Sequence, residues 1–299
     1  MPKSSSHRRG FCRTFALLLL LNLPIPTNSV FAQAFEQIFD DAPGSWLEWE
    51  SSESKESEKD EPLETDRDSF TYATTTVGRG RTIVEVSSSY INNRSTPDTN
   101  SYPEMITRYG LTERLELRLG WNFEAGGGGD VSNGDAGGKS EELGVRKESR
   151  ISYGFKYALT KQNAWRPESA CIIQASTPTS GSETASRFIV GYVFGWTFFD
   201  NWKLDSSIRY GADSEAGDHF NDWAPSVVLK VPVHEKWTVH GEYFGIFTDG
   251  KASNSNPQYF SPGINYLITP DVEVGIRTGW GLNQDAANFF SNIGLGVRF

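Results

Sequence analysis

The sequence predicts an all-β fold, a transmembrane antiparallel β-barrel of about 12 strands over residues 80–299 with both termini periplasmic. Three observations predict it. Apolar residues recur at every second position after residue 80, and short connections alternate with long ones along the chain. The end of the chain, FFSNIGLGVRF at 289–299, is a strand with one apolar face, and a closing barrel strand is ordered where a free end would fray.

The N-terminus comes first. Lys3, Arg8, Arg9 and Arg13 precede the apolar run FALLLLLNLP and small residues at Ala32 and Ala34. That layout predicts a signal peptide over 1–32, because Pro24 and Pro26 cut the run short of the roughly 20 residues a helical span needs. Residues 36–68 then carry 13 acidic and 3 basic side chains, a balance equal to the −10 of the whole chain. So polar a stretch predicts an acidic, mostly disordered periplasmic extension over 33–79, in which Trp46, Leu47 and Trp49 form a stray apolar cluster. FTYATTTVG, near 70–78, would make the strand count odd and is placed in the extension as a lead-in.

Twelve alternating segments follow, at roughly 80–92, 102–110, 114–124, 149–160, 168–177, 186–199, 202–212, 223–234, 237–248, 258–268, 272–282 and 289–299. In LELRLGWNF, Leu115, Leu117, Leu119, Trp121 and Phe123 point one way, and Glu116, Arg118, Gly120 and Asn122 the other. The connections LTE, KQNAWRP, DN, HEK and TPD are short. Those between them are longer, the longest being the glycine-rich stretch near 125–148. Short turns on one rim and long loops on the other describe a membrane barrel.

A secreted β-sandwich also alternates. The barrel is favoured because amphipathic rings such as Tyr90, Trp121, Trp202, Trp237, Trp280 and Phe299 cluster near strand ends, where two lipid–water interfaces would lie. The opposite face carries glycine and charge, and an outward Arg or Lys at mid-bilayer would cost about 2–4 kcal/mol. Pro225, Pro232 and Pro262 fit strands poorly, Pro262 most of all.

The charged face supplies the candidate lumen. Its basic members are Arg108, Arg118, Lys156, Lys203, Arg209, Lys230, Arg277 and Arg298. Its acidic members include Glu85, Glu116, Asp205, Glu242 and Glu273, with His240 beside Glu242. Basic and acidic groups nearly cancel, so an interlocked salt-bridge network is expected rather than a charge-selective filter. Ile293, Leu295, Val297 and Phe299 form the candidate assembly signal.

Other chemistry finds little footing. Cys12 lies in the signal peptide, which leaves Cys171 without an internal partner, and the four histidines are scattered. GGKS at 137–140 fails as a phosphate loop because Asn133 stands where the first glycine is required. Asp130, Asn133 and Asp135 lack EF-hand spacing. No nucleophile motif accompanies His240 and Glu242. The expectation is therefore no enzyme, no metal and no cofactor.

Several stretches carry a family resemblance: Asp66-Arg67 with Phe70-Thr71, then GRTIVEVSSSY, RYGLTERLELRLGWNF, YGFKYALT and STPTSG. Over roughly 66–299 the chain resembles outer-membrane "transporter" proteins of the MetA-pathway of phenol degradation type. The resemblance implies localisation to the bacterial outer membrane and uptake of small, often aromatic compounds, and it supplies no active-site residues. The terminal Phe299 is similar to the signal read by the barrel assembly machinery. The expected partners are outer-membrane lipid, that machinery and a small-molecule solute, with no nucleic acid. Three readings of function stay open: a passive channel, a structural or surface-binding barrel with a plugged lumen, and a barrel-embedded hydrolase. Twelve strands lie between the filled eight-stranded barrels and the open 16–18-stranded porins, so strand number leaves the lumen undecided.

Overall fold

The computed structural model describes residues 63–127, 146–181, 184–199, 201–215, 218–250 and 255–299. All of them belong to one compact unit, Glu56–Phe299. The expected signal peptide, the tryptophan pair near residue 47, most of the acidic stretch and the loop segment holding Asp130, Asn133, Asp135 and GGKS lie outside the described residues.

The wall is built from β1 (Thr82–Asn92), β2 (Thr99–Gly110), β3 (Leu115–Gly126), β4 (Arg146–Thr160), β5 (Glu168–Ser180), β6 (Arg187–Phe198) and β7 (Trp202–Glu215). It continues through β8 (Asp218–His234), β9 (Trp237–Gly245), β10 (Phe247–Asp249), β11 (Gln258–Thr269), β12 (Val272–Gly281) and β13 (Phe289–Arg298). Neighbouring strands pair antiparallel, in sequence order except that β9 pairs with β8 and β11 while β10 pairs with β8, and β1 pairs with β13, so the sheet closes on itself. β9 and β10 are one span interrupted at Ile246: Phe244 pairs with Ser226 and Phe247 with Trp223 in the same register. The wall therefore has twelve spans, and closure leaves no unpaired edge in hydrocarbon.

The alternation that predicted these strands is visible as burial. In β1 and β3 the polar members face in: Glu85, Ser87, Glu116 and Arg118 are buried, whereas Leu117, Leu119 and Trp121 are exposed. Ring pairs mark two outer belts. Trp237 lies 4.5 Å from Tyr266 near the short-turn rim, and Tyr210 lies 4.7 Å from Trp223 towards the other. An apolar exterior flanked by aromatic belts around a polar interior is the cross-section of a membrane barrel.

Two details depart from the sequence expectation. β7 and β8 run well past residues 212 and 223, pairing as far as Glu215 and Asp218, so the loop expected there is a strand extension. Pro262 does sit inside β11. It pairs with Gly241 of β9, while the β11–β12 ladder skips from Phe260 to Gly263 where the proline N–H is missing.

The larger departure lies ahead of β1. Residues 63–79, expected as the end of an external disordered extension, lie inside the barrel. The Leu63 N–H donates to the Pro270 carbonyl (3.1 Å) at the short-turn rim. The chain climbs to Phe70, which packs with Ile91, Phe244, Tyr259, Ala286 and Phe290 towards the long-loop end. It then returns, with the Thr76 hydroxyl on the Glu113 carbonyl (2.8 Å) and the Gly80 N–H on the Gly110 carbonyl (2.8 Å), both at the short-turn rim. Leu63, Thr65, Asp66 and Ser69 through Thr74 are all buried. The stretch is too poor in apolar residues to form a core of its own, but a lumen lined with cations offers its carboxylates partners instead. Gly296 on β13 makes room for it, since a Cβ there would collide with the Thr65 side chain.

Candidate functional site

The site is the filled lumen. In its short-turn half, β2, β3 and β4 each place one cation on the inward face, Arg108, Arg118 and Lys156, and Asp66 of the re-entrant segment sits among them. Its carboxylate accepts from Arg118 Nη1 and Lys156 Nζ (3.1 Å), with Arg108 Nε at 3.5 Å. The Ala73 N–H donates to its other oxygen (2.9 Å), which ties the climbing limb to the returning one. Arg108 forks onto Glu116 (2.9 and 3.0 Å) and reaches Glu85 (3.0 Å). Glu85 in turn accepts the Asp66 and Arg67 N–H groups, each at 2.9 Å. Burial alone would raise the Asp66 carboxyl, but Arg108, Lys156 and Arg118 overcome it and hold the group well below the usual carboxylate range.

Further contacts follow round the ring. Lys203 Nζ meets Glu64 at 2.6 Å, Lys230 meets Asp68 at 2.8 Å, and Thr65 donates to Glu273 at 2.8 Å. The Asn265 amide also donates to Asp68 (2.9 Å). Burial raises the Glu64 carboxyl, and the opposing pull of Lys203 and Lys230 brings it down to about 2.

The long-loop half is different in kind. The Phe70 ring stacks on Phe244 (centroids 4.2 Å, 9°), with the Arg209 guanidinium 3.7 Å from its centre on a cation–π contact. Glu242 accepts the Phe70 and Thr71 N–H groups (2.9 and 2.7 Å) and Arg277 Nη1 (3.1 Å). His240 makes no hydrogen bond through either ring nitrogen among the described residues. His240 and Glu242 thus share a face without forming an acid–base pair.

Of the candidate lumen residues, Glu85, Arg108, Glu116, Arg118, Lys156, Arg209, Lys230, His240, Glu242, Glu273 and Arg277 are buried inside the ring, most of them against the segment. Asp205 is buried too, with neither oxygen hydrogen-bonded among the described residues. Arg298 stands apart at the short-turn rim, paired with Asp271 (2.7 Å). Ile293, Leu295 and Phe299 face outward, and the Phe299 N–H donates to the Thr82 carbonyl (2.8 Å) at the closing seam. Sequence reasoning missed the segment's own side chains, Glu64, Asp66, Asp68 and Phe70. It also missed the buried Arg187–Asp222 pair (3.0 Å), because Asp222 fell in an expected loop. The signal available was a carboxylate at every second position, Glu64, Asp66 and Asp68, ahead of a cation-rich inner wall.

Among the described residues, small cavities flank the segment, one of about 20 Å³ next to Arg118 and Gln174 and one of about 10 Å³ next to Glu273 and Asn292, each enough for roughly one water.

Residues 65–299 match the family described as "Putative MetA-pathway of phenol degradation", from near the start of the re-entrant segment to the closing strand. The chain belongs to this family. Among solved structures, an outer membrane channel from Pseudomonas putida F1 is 14% identical, covering 79% of this chain and 100% of that one with a TM-score of 0.51. The NanC porin is 10% identical, covering 72% and 98% with a TM-score of 0.49. At this identity the likeness to the channel concerns the fold, which is that of a bacterial outer-membrane β-barrel. No curated protein matches the chain.

Proposed function

We propose that this protein is an outer-membrane channel for small solutes whose conduit is held shut by the re-entrant segment 63–79, with the short-turn rim and both termini facing the periplasm. The family description makes small aromatic compounds the first solutes to try. One observation carries the reading. A closed twelve-span wall encloses a lumen that is densely charged in its short-turn half, and what fills it is a segment whose two ends leave by the same rim. A barrel filled by its own wall side chains would need no such insert. The reading is of a conduit and not of a catalyst.

A permanently plugged structural barrel is the second reading, favoured by the near-complete pairing of Asp66, Glu64 and Asp68 with wall cations. Planar-bilayer recordings separate the two. Joining residue 62 to residue 80 removes no wall residue, because Leu63 and Gly80 lie at the same rim. The channel reading expects steady conductance from the excised protein and rare openings from the full chain. A folded excised barrel that stays silent would leave only the structural reading.

A further inference from the structure

We propose that the basic cup formed by Arg108, Arg118 and Lys156 is a carboxylate-binding site for solute, and that Asp66 occupies it as an internal stand-in while the segment is in place. The inference rests on the channel reading and names the chemistry the conduit selects.

The first argument is charge. Within the cup the wall supplies three cations against two carboxylates, Glu85 and Glu116. One positive charge is in excess, and Asp66 cancels it. A buried unpaired charge is strongly unfavourable, so when Asp66 leaves the cup needs another anion of the same size and charge.

The second argument is geometry and is independent of the first. Arg118 is buried, its side chain only 1% exposed, and it holds Asp66 and Glu116 through Nη1 alone. Nε and Nη2 make no hydrogen bond among the described residues. Those two atoms form the side-on edge of a guanidinium, whose parallel N–H groups match the two oxygens of a carboxylate; Arg108 uses the same edge on Glu116. Arg118 borders the cavity of about 20 Å³, whose other polar walls are Asn122, Ser152 and Gln174 from the barrel and Asp66, Arg67 and Tyr72 from the segment. A built fork therefore stands unfilled on the same guanidinium that holds Asp66 through Nη1.

The cavity is too small for an organic acid while the segment is seated. An arriving carboxylate would engage the free edge of Arg118, take over the cup's excess charge and displace Asp66. Solute and segment are then competitors for one site, and each must weaken the other's hold by the same factor. No covalent step is involved.

Titration calorimetry of the full-length protein in detergent, with benzoate as probe and benzyl alcohol as its uncharged counterpart, tests this. Asp66→Asn removes the internal competitor and should bind benzoate about tenfold or more tighter than wild type, within the usual range of site coupling. Benzyl alcohol should not bind either protein comparably. Arg118→Lys in the Asp66→Asn background keeps the charge and loses the fork, and it should give back most of the gain while heat-modifiable migration reports an intact barrel. Equal benzoate affinity in wild type and Asp66→Asn would overturn the proposal. So would benzyl alcohol binding as tightly as benzoate, or Arg118→Lys with undiminished affinity. An excised protein that conducts while Asp66→Asn fails to bind benzoate would sink this inference and leave the channel reading standing.

Discussion

The wall and the segment inside it are held by different forces. Each wall strand is joined to both neighbours by a backbone ladder, from β1–β2 round to β13–β1. The segment meets the wall backbone-to-backbone at its two ends, Leu63 to Pro270 and Gly80 to Gly110, and through side chains in between. A ladder in hydrocarbon cannot open without stranding polar groups. A side-chain anchor in a polar lumen can exchange its partner for water or another ligand. The contrast teaches that one chain can hold its wall by backbone hydrogen bonds and its insert largely by side-chain ones, and only the second kind can be exchanged without stranding a ladder.

The comparison can be broken at several strengths. Excising the segment should have the largest effect: if its seat is worth about 3 kcal/mol, the mean current should rise roughly 100-fold, with the barrel intact by heat-modifiable migration. A barrel that no longer assembles would show the segment to be part of the wall's stability after all.

Asp66→Ala comes next. It leaves Arg108, Arg118 and Lys156 facing no segment carboxylate, and removing one partner of a buried ionic cluster costs about 3–5 kcal/mol. A cysteine placed at Thr74 should then react readily with a water-soluble thiol reagent, and unchanged protection would deny Asp66 its anchoring part. Phe70→Ala should loosen the long-loop half by about 3 kcal/mol, the low end for a buried Phe truncation, because water can enter the space. The same Thr74 probe should report it, more weakly than for Asp66→Ala.

The smallest effect is expected from pH. Asp66 and Glu64 are both held below their ordinary values. A depressed carboxyl contributes fully above its ordinary value and loses its contribution only as pH falls through the lowered one. The hold of these two carboxylates on the wall should therefore be unchanged between about pH 8 and pH 5. Loosening of the segment within that window would place the controlling group elsewhere on the wall.

How much of this could be read in advance follows the same division. The twelve spans were legible because lipid outside and charge inside impose a strict two-residue period, as in Leu117, Leu119 and Trp121 against Glu116 and Arg118. β7 and β8 were cut short because beyond the bilayer no such pressure marks a strand. The inward face was legible for Arg108, Arg118 and Lys156, but their principal partner was not. Asp66 lies 42 residues ahead of Arg108 in a stretch whose composition reads as solvated. Composition measures whether a segment can bury apolar surface of its own, and this one instead supplies charge to a core built by others. Phe70 was hidden for a related reason, since its stacking partner Phe244 is 174 positions away and no local pattern links them.

The central claim is that passage requires the segment to leave its seat, and a reversible tether tests it most directly. The Thr71 and Ser226 hydroxyl oxygens lie 2.8 Å apart, so cysteines at these two positions fall within reach of a disulfide, here in a Cys171→Ser background. Single-channel conductance of the double variant is recorded oxidised, then after reduction in the same bilayer. The account predicts silence when oxidised and a return to the openings of the untethered full chain on reduction. Equal conductance in the two states, with the disulfide verified by mass spectrometry, would contradict it.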